Sequence, residues 1–157
     1  MRSTVPPGTT VITLRSPSAL ARHDVERFDF AFTPIYRQLG RWFGVTPRTA
    51  WAEVSDDALD VRFGPWRVRS GLLNISKVEI TGPYAVTKTA GPARLGLDRG
   101  LALATNSDKG LLVTFHKPVP GVEPLGLLRH PDLTITVADP EALAAELRAR
   151  GATSRAQ

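Results

Sequence analysis

Residues 54–83 read VSDDALDVRFGPWRVRSGLLNISKVEITGP. Ser55-Asp56-Asp57 form an acidic turn. Leu59, Val61 and Phe63 then alternate with Asp60 and Arg62, the period of a half-buried strand. Gly64-Pro65 turns the chain. Trp66 and Val68 oppose Arg67 and Arg69 in a second strand. Leu72-Leu73-Asn74-Ile75 makes a short step, and residues 76–81 (SKVEIT) alternate again with Val78 and Ile80 inward. Gly82-Pro83 ends the run. This order describes a small antiparallel sheet protein, and no chemistry is written into it.

Upstream, Phe28, Phe30 and Phe32 alternate with Asp29 and Ala31, which predicts another half-buried strand. The period then changes. Ile35, Leu39, Trp42 and Phe43 fall near helical spacing, with Arg37 and Arg41 one turn apart. Thr33-Pro34 fits an N-cap followed by proline at the first helical position, and Gly44 fits a stop. Gly40 weakens the pattern. A short helix over 34–43 is expected, followed by a strand over 49–54 (TAWAEV). Residues 1–23 read as a flexible lead with one edge strand around Val11-Ile12-Thr13-Leu14.

Downstream, Thr87, Lys88 and Thr89 read as a loop or edge piece, and Ala93, Leu95 and Leu97 alternate. The apolar runs 101–104 and 111–115 flank Thr105-Asn106-Ser107-Asp108-Lys109-Gly110, which reads as a hairpin loop. Residues 117–128 form a Pro/Gly-rich connector, and LTITV (133–137) is the last strand. Asp139 is a good N-cap, Pro140 takes the first helical position and Glu141 the first turn. Leu143 and Leu147 lie one turn apart with Ala144 beside them. Arg148 and Arg150 suit the C-terminal dipole, and Gly151 stops the helix. Seven or eight short strands thus precede one C-terminal helix.

The chain of 157 residues is one domain by size. Hydrophobic content of 42% suffices for a core. Thirteen glycines and thirteen prolines favour short strands and many turns. The lack of cysteine excludes disulfides, thiolate nucleophiles and Cys-based metal sites. The net charge of +5 and pI near 10.2 favour phosphate-bearing partners, although sixteen of the twenty basic residues are Arg, which a GC-rich genome also produces. No apolar run is long enough to span a membrane, and the N-terminus lacks the apolar core of a signal peptide. The expected compartment is the cytoplasm, with a peripheral membrane location if the basic residues meet lipid.

Asp57-Ala58-Leu59-Asp60-Val61-Arg62-Phe63-Gly64, then Leu73-Asn74-Ile75 and Val78, and finally LTITVADPEALAAELR (133–148) together resemble a bacterial pleckstrin-homology-like domain of the actinobacterial type. The resemblance covers roughly residues 48–150. It implies a split barrel or β-sandwich, antiparallel, closed by a C-terminal capping helix. It further implies binding to proteins, lipid headgroups or membranes, with no shared catalytic residues. The helical insert at 34–43 and the connector at 117–128 depart from the pattern. Residues 24–151 would form this domain, with flexible ends at 1–23 and 152–157.

His23, His116 and His130 do not share metal-ligand spacing. No nucleophile elbow, phosphate-binding loop or dinucleotide fingerprint occurs. Asp56 and Asp57 are adjacent, but turn chemistry explains them. Arg62, Arg67 and Arg69 are candidates for a basic patch. The competing expectation is a solvated sheet face partnered by Asp60 and Glu53. Tyr36, Arg37, Arg41 and Trp42 are the sharper candidates. Residues 33–50 hold three arginines and no acid, a mixture of aromatic and basic groups that suits a membrane interface or a partner groove. The competing expectation is that Ile35, Leu39 and Trp42 pack on the sheet.

The expected function is a non-enzymatic binding module that engages a protein partner or an anionic membrane surface, without a cofactor. The alternative is a carrier of an apolar small ligand, lipid or haem-like, in a cavity lined by Trp42, Trp51, Trp66 and the 28–32 strand. His116 is the weak candidate for a haem ligand. Nucleic acid is not the expected partner, because the basic residues are scattered. An exposed edge strand would support a homodimer.

Overall fold

The computed structural model describes residues 24–83, 93–95, 99–106, 108–121, 125 and 127–152. The lead at 1–23 with His23, the piece around Thr87 and the tail at 153–157 lie outside the described residues.

The quoted stretch folds largely as its periodicity requires. Strands β1 (Glu26–Asp29), β2 (Ala50–Val54), β3 (Ala58–Phe63) and β4 (Trp66–Gly71) form one antiparallel sheet in sequence order. Phe28, Ala52, Val61 and Val68 stand opposite one another across all four strands, and all are buried. Alternation places every second residue on this inner face, so one cross-strand row supplies one layer of core. Gly64 turns at φ 62° between β3 and β4. A Cβ there would also lie 2.8 Å from Val45 and 3.0 Å from the Gly44 carbonyl, so glycine is required for space as well as conformation.

The Leu72–Asn74 step is a 3-10 turn that carries the chain into a second sheet. Leu72 is buried and Leu73 is exposed. The second sheet has the order β5-β8-β9-β7-β6, from β5 (Ile75–Thr81), β6 (Ala93–Leu95), β7 (Leu101–Leu103), β8 (Gly110–Pro120) and β9 (Arg129–Ile135). Four expectations are corrected here. The described residues hold nine strands, not seven or eight. The sheet is not wholly antiparallel, because β7 runs parallel to β9. The 105–110 segment does not close a hairpin, since β9 lies between β7 and β8. Finally, residues 117–120 belong to β8, which pairs again with β9 at Val119–His130 after a register shift. Alternation tells which face a residue takes but not which strand lies beside it, so the insertion of β9 is silent in the pattern. Ile80, expected inward, lies exposed near the end of β5, whereas Val78 is buried.

Among the described residues the two sheets do not close into a barrel. The chain leaving β1 crosses over: Phe30 bridges Val137, Ala31 N–H donates to the Thr136 carbonyl, and Ala138 N–H donates to that of Asp29. Thr105 Oγ1 and Asn106 Nδ2 both donate to the Ala31 carbonyl. These buried polar groups are hydrogen-bonded, as burial demands.

The C-terminal helix α2 (Pro140–Ala149) forms as expected. Asp139 accepts from Ala142 N–H at 2.8 Å. Leu143, Ala144 and Leu147 enter the core that also contains Phe63, Ile75, Leu111 and Leu133. Arg150 pairs with Glu146 and with Asp56, so the helix end reaches the β2–β3 turn of the first sheet. The Glu146 hydrogen bond, followed by the charge attraction of Glu146 and Asp56, holds the Arg150 guanidinium above its ordinary pKa. This helix packs on β5 and β8, at the end of the fold where Asp56 and Val78 lie.

Candidate functional site

The 34–43 segment folds as helix α1 (Pro34–Trp42) at the other end of the first sheet, next to the Gly64-Pro65 turn. Thr33 holds the N-cap position, but its side chain makes no cap bond; its N–H donates to the Thr105 carbonyl instead. Gly40, which argued against a helix, is what lets α1 sit down. A Cβ at Gly40 would lie 2.6 Å from the Val45 carbonyl oxygen, because the chain turns straight back under the helix.

That return decides which face of α1 is buried. Tyr36 and Gly40 face the protein. Ile35, Leu39 and Trp42 do not pack on the sheet; they are 63%, 50% and 89% exposed, and Phe43 follows at 52%. The spacing i, i+4, i+7 and i+8 puts these four on one stripe. Arg37 and Arg41 are exposed on the same helix, and Arg48 follows in the loop behind it. The structure therefore brings Arg37, Arg41 and Trp42 together on one solvent-facing element. Tyr36, expected beside them, is buried against the protein.

The outer face of the first sheet carries the other candidates. Arg62 and Arg67 are direct cross-strand neighbours, an unfavourable juxtaposition of like charge on its own. Arg67 resolves it by a bidentate ion pair to Asp60, which lies on the diagonal. That hydrogen bond, and then the carboxylate's charge, raise the Arg67 pKa above its ordinary value. Arg62 turns its Nε to the Gly64 carbonyl. Arg27 lies over the Trp51 ring, 5.5 Å from its centroid. With Glu53 and Asp60 in the next row, this face is a partnered, solvated surface and not a free basic patch.

Arg69 continues that row, opposite Asp60 on β3. It lines an open groove with His116, Lys117 and Arg129. Sequence reasoning missed Lys117 and Arg129 because it took 117–128 for a connector, which hid the β8–β9 pairing that brings them together.

The three tryptophans do not line one cavity. Trp42 is on the outside of α1, Trp51 is half-buried on the outer face of the sheet, and Trp66 stacks on Phe63 at 6.3 Å. His116 is exposed in the groove. His130 is buried, and its Nδ1–H donates to the Arg99 carbonyl at 2.9 Å. Among the described residues, no three His, Asp or Glu side chains gather as a metal site, and no helix is long and apolar enough to cross a membrane.

Comparison with protein-family models, curated proteins and solved structures finds no match. Over the described residues, fold and site define a two-sheet, mostly β domain with two helices, one buried by its apolar face and one displaying it.

Proposed function

We propose that the protein is a non-catalytic module that docks on an anionic membrane surface through α1, on a β-sandwich of the pleckstrin-homology-like type. The observation that carries this is the stripe of Ile35, Leu39, Trp42 and Phe43 turned to solvent on a helix whose exposed charges are all positive. A soluble fold has no reason to leave four large apolar side chains in a row unless something covers them. Each such side chain gains about 1.5–3 kcal/mol when fully removed from water. Each Arg near an anionic leaflet adds about 1 kcal/mol. Apolar insertion and charge attraction together define an interfacial helix. The pleckstrin-homology-like reading is supported by the order of elements: a four-stranded sheet, a short step ending at Ile75, a second sheet, and a closing helix entered through Asp139-Pro140-Glu141. The strand β6, the parallel β7–β9 pair and α1 are additions to that pattern.

The carrier alternative has less support, since the space between the sheets is filled by side chains without exposure, Phe63, Leu103, Leu111 and Ile135 among them. Vesicle co-sedimentation tests the proposal. Binding is expected to phosphatidylglycerol vesicles and not to phosphatidylcholine, to weaken with salt, and to fall in the Arg37→Glu/Arg41→Glu double variant. Equal binding by that variant, or none to anionic vesicles, overturns it; in the second case a protein groove becomes the counterpart of α1.

A further inference from the structure

The first sheet ends on β4, and among the described residues no strand pairs with its outer side. The β3–β4 connection has two residues, with Gly64 at positive φ followed by Pro65, the form of a type II′ hairpin. Such a turn is closed by a hydrogen-bonded pair, here Phe63–Trp66, and hydrogen-bonded and open pairs then alternate. Trp66, Val68 and Ser70 thus direct their backbone groups to β3. Arg67 and Arg69 direct theirs outward, to the side where no described strand pairs, with β8 approaching only the Ser70 end through Asn74. The second sheet treats its β5 edge differently. There α2 packs alongside, and Arg148 Nη2 donates to the Val78 carbonyl at 2.8 Å.

An open groove of about 840 Å³ runs beside β4. It receives Arg69 from β4, His116 and Lys117 from β8, and Arg129 from β9, all exposed. No Asp or Glu lines it among the described residues. Among the described residues Arg69, Lys117 and Arg129 form no ion pair, since Asp60, which stands opposite Arg69, is taken by Arg67, whereas Arg27, Arg67, Lys77, Lys109 and Arg150 all form one. Leu73, 78% exposed, adds an apolar contact at the same site.

We propose that this groove binds an extended acidic segment of a partner protein, which adds to β4 as a fifth strand of the first sheet. Strand addition draws affinity from backbone hydrogen bonds and selectivity from the flanking side chains. Arg69, Lys117 and Arg129 select carboxylates. Charge speaks against residues 1–23 and 153–157 of this chain as the occupant, since they contain no Asp or Glu. The unpaired edge favours a peptide over a small anion, because all four basic groups are exposed and none is a buried clamp for a single phosphate. The groove lies at the Gly71–Asn74 end of β4, away from α1, so this inference does not depend on membrane docking.

The test is fluorescence anisotropy of the full chain with a panel of labelled decapeptides, Glu or Asp at alternate positions and apolar residues between. Saturable binding is expected, roughly tenfold or more weaker in Arg69→Glu/Arg129→Glu and unchanged in Arg37→Glu/Arg41→Glu. The best peptide with alternate backbone nitrogens methylated should lose at least roughly the same factor. If the double variant does not fold, as judged by its melting curve, Lys117→Glu provides the same readout. The proposal is overturned by no saturable binding at millimolar peptide, by equal binding of the methylated peptide, or by inorganic pyrophosphate occupying the groove where peptides do not.

Discussion

The side chain of Asn74 takes both backbone groups of Lys117: Nδ2 donates to its carbonyl and Oδ1 accepts from its N–H, each at 2.9 Å. This is the hydrogen-bond pattern of a neighbouring strand, delivered by one amide. It is placed where β8 runs past the end of β5. Nδ2 also reaches Ser70 Oγ at 3.2 Å, which ties the β4 end of one sheet to the β8 edge of the other. Asn74→Ala removes all of these at once and leaves Lys117 partly unsatisfied. Urea unfolding should show a loss of about 1–3 kcal/mol. A loss within error would mean that water replaces the amide.

Gly40→Ala should destabilise, although alanine is the better helix former. Helix propensity favours the change by about 1 kcal/mol, but the new Cβ meets the Val45 carbonyl at 2.6 Å. Overpacking of this kind costs about 1–3 kcal/mol. A higher midpoint in thermal unfolding would show that the chain return beneath α1 gives way to the methyl group.

Tyr36 and Trp42 share a helix and should respond in opposite ways. Trp42→Ser should leave stability within about 0.5 kcal/mol, because the ring touches mostly water, while vesicle binding drops. Tyr36→Ala should cost about 3–5 kcal/mol, as for other buried aromatics. Intrinsic fluorescence gives the second readout: a blue shift on anionic vesicles should vanish in Trp42→Phe, since Trp51 and Trp66 lie elsewhere.

The Lys109–Glu141 pair joins β8's approach to the first turn of α2 at 2.9 Å. Its hydrogen bond lowers the Glu141 pKa below the ordinary 4.5 and raises that of Lys109 above the ordinary 10.5. The Glu141 contribution to stability is therefore complete above 4.5 and is lost as pH falls through the lowered value. That of Lys109 is complete below 10.5 and is lost as pH rises through the raised value. Comparing Glu141→Gln with the parent across pH should show the difference shrink in acid. A difference independent of pH would show that the ion pair contributes nothing.

Asp139→Ala removes the N-cap of α2 and should cost about 1 kcal/mol. The Asp139 carboxylate holds the Ala142 N–H, and helix content measured by circular dichroism should fall with it.

Local features were legible because their causes are local. The inward alternation of Leu59, Val61 and Phe63, the Gly64-Pro65 turn and the Asp139-Pro140 helix start each follow from a few adjacent residues. The 117–120 strand was not legible, since Pro118 and Pro120 disguise it and its pairing with Arg129 and His130 comes from a later segment. The basic groove was hidden with it. The arginine patch on the first sheet could be named but not judged, because the diagonal Arg67–Asp60 pair depends on register.

The residue pattern alone was enough for a mostly β chain with an amphipathic helix at 34–43, one residue longer than α1, and a capped helix at the end. Periodicity and capping are properties of neighbours in sequence, and they survive without knowledge of the rest. Which side of α1 is buried was settled by the fold. A helical stripe records that four apolar side chains share a face, not whether a core awaits them. The return of the chain through Val45, against a glycine that leaves no room for a Cβ, turns Tyr36 inward and the stripe of Ile35, Leu39 and Trp42 to solvent.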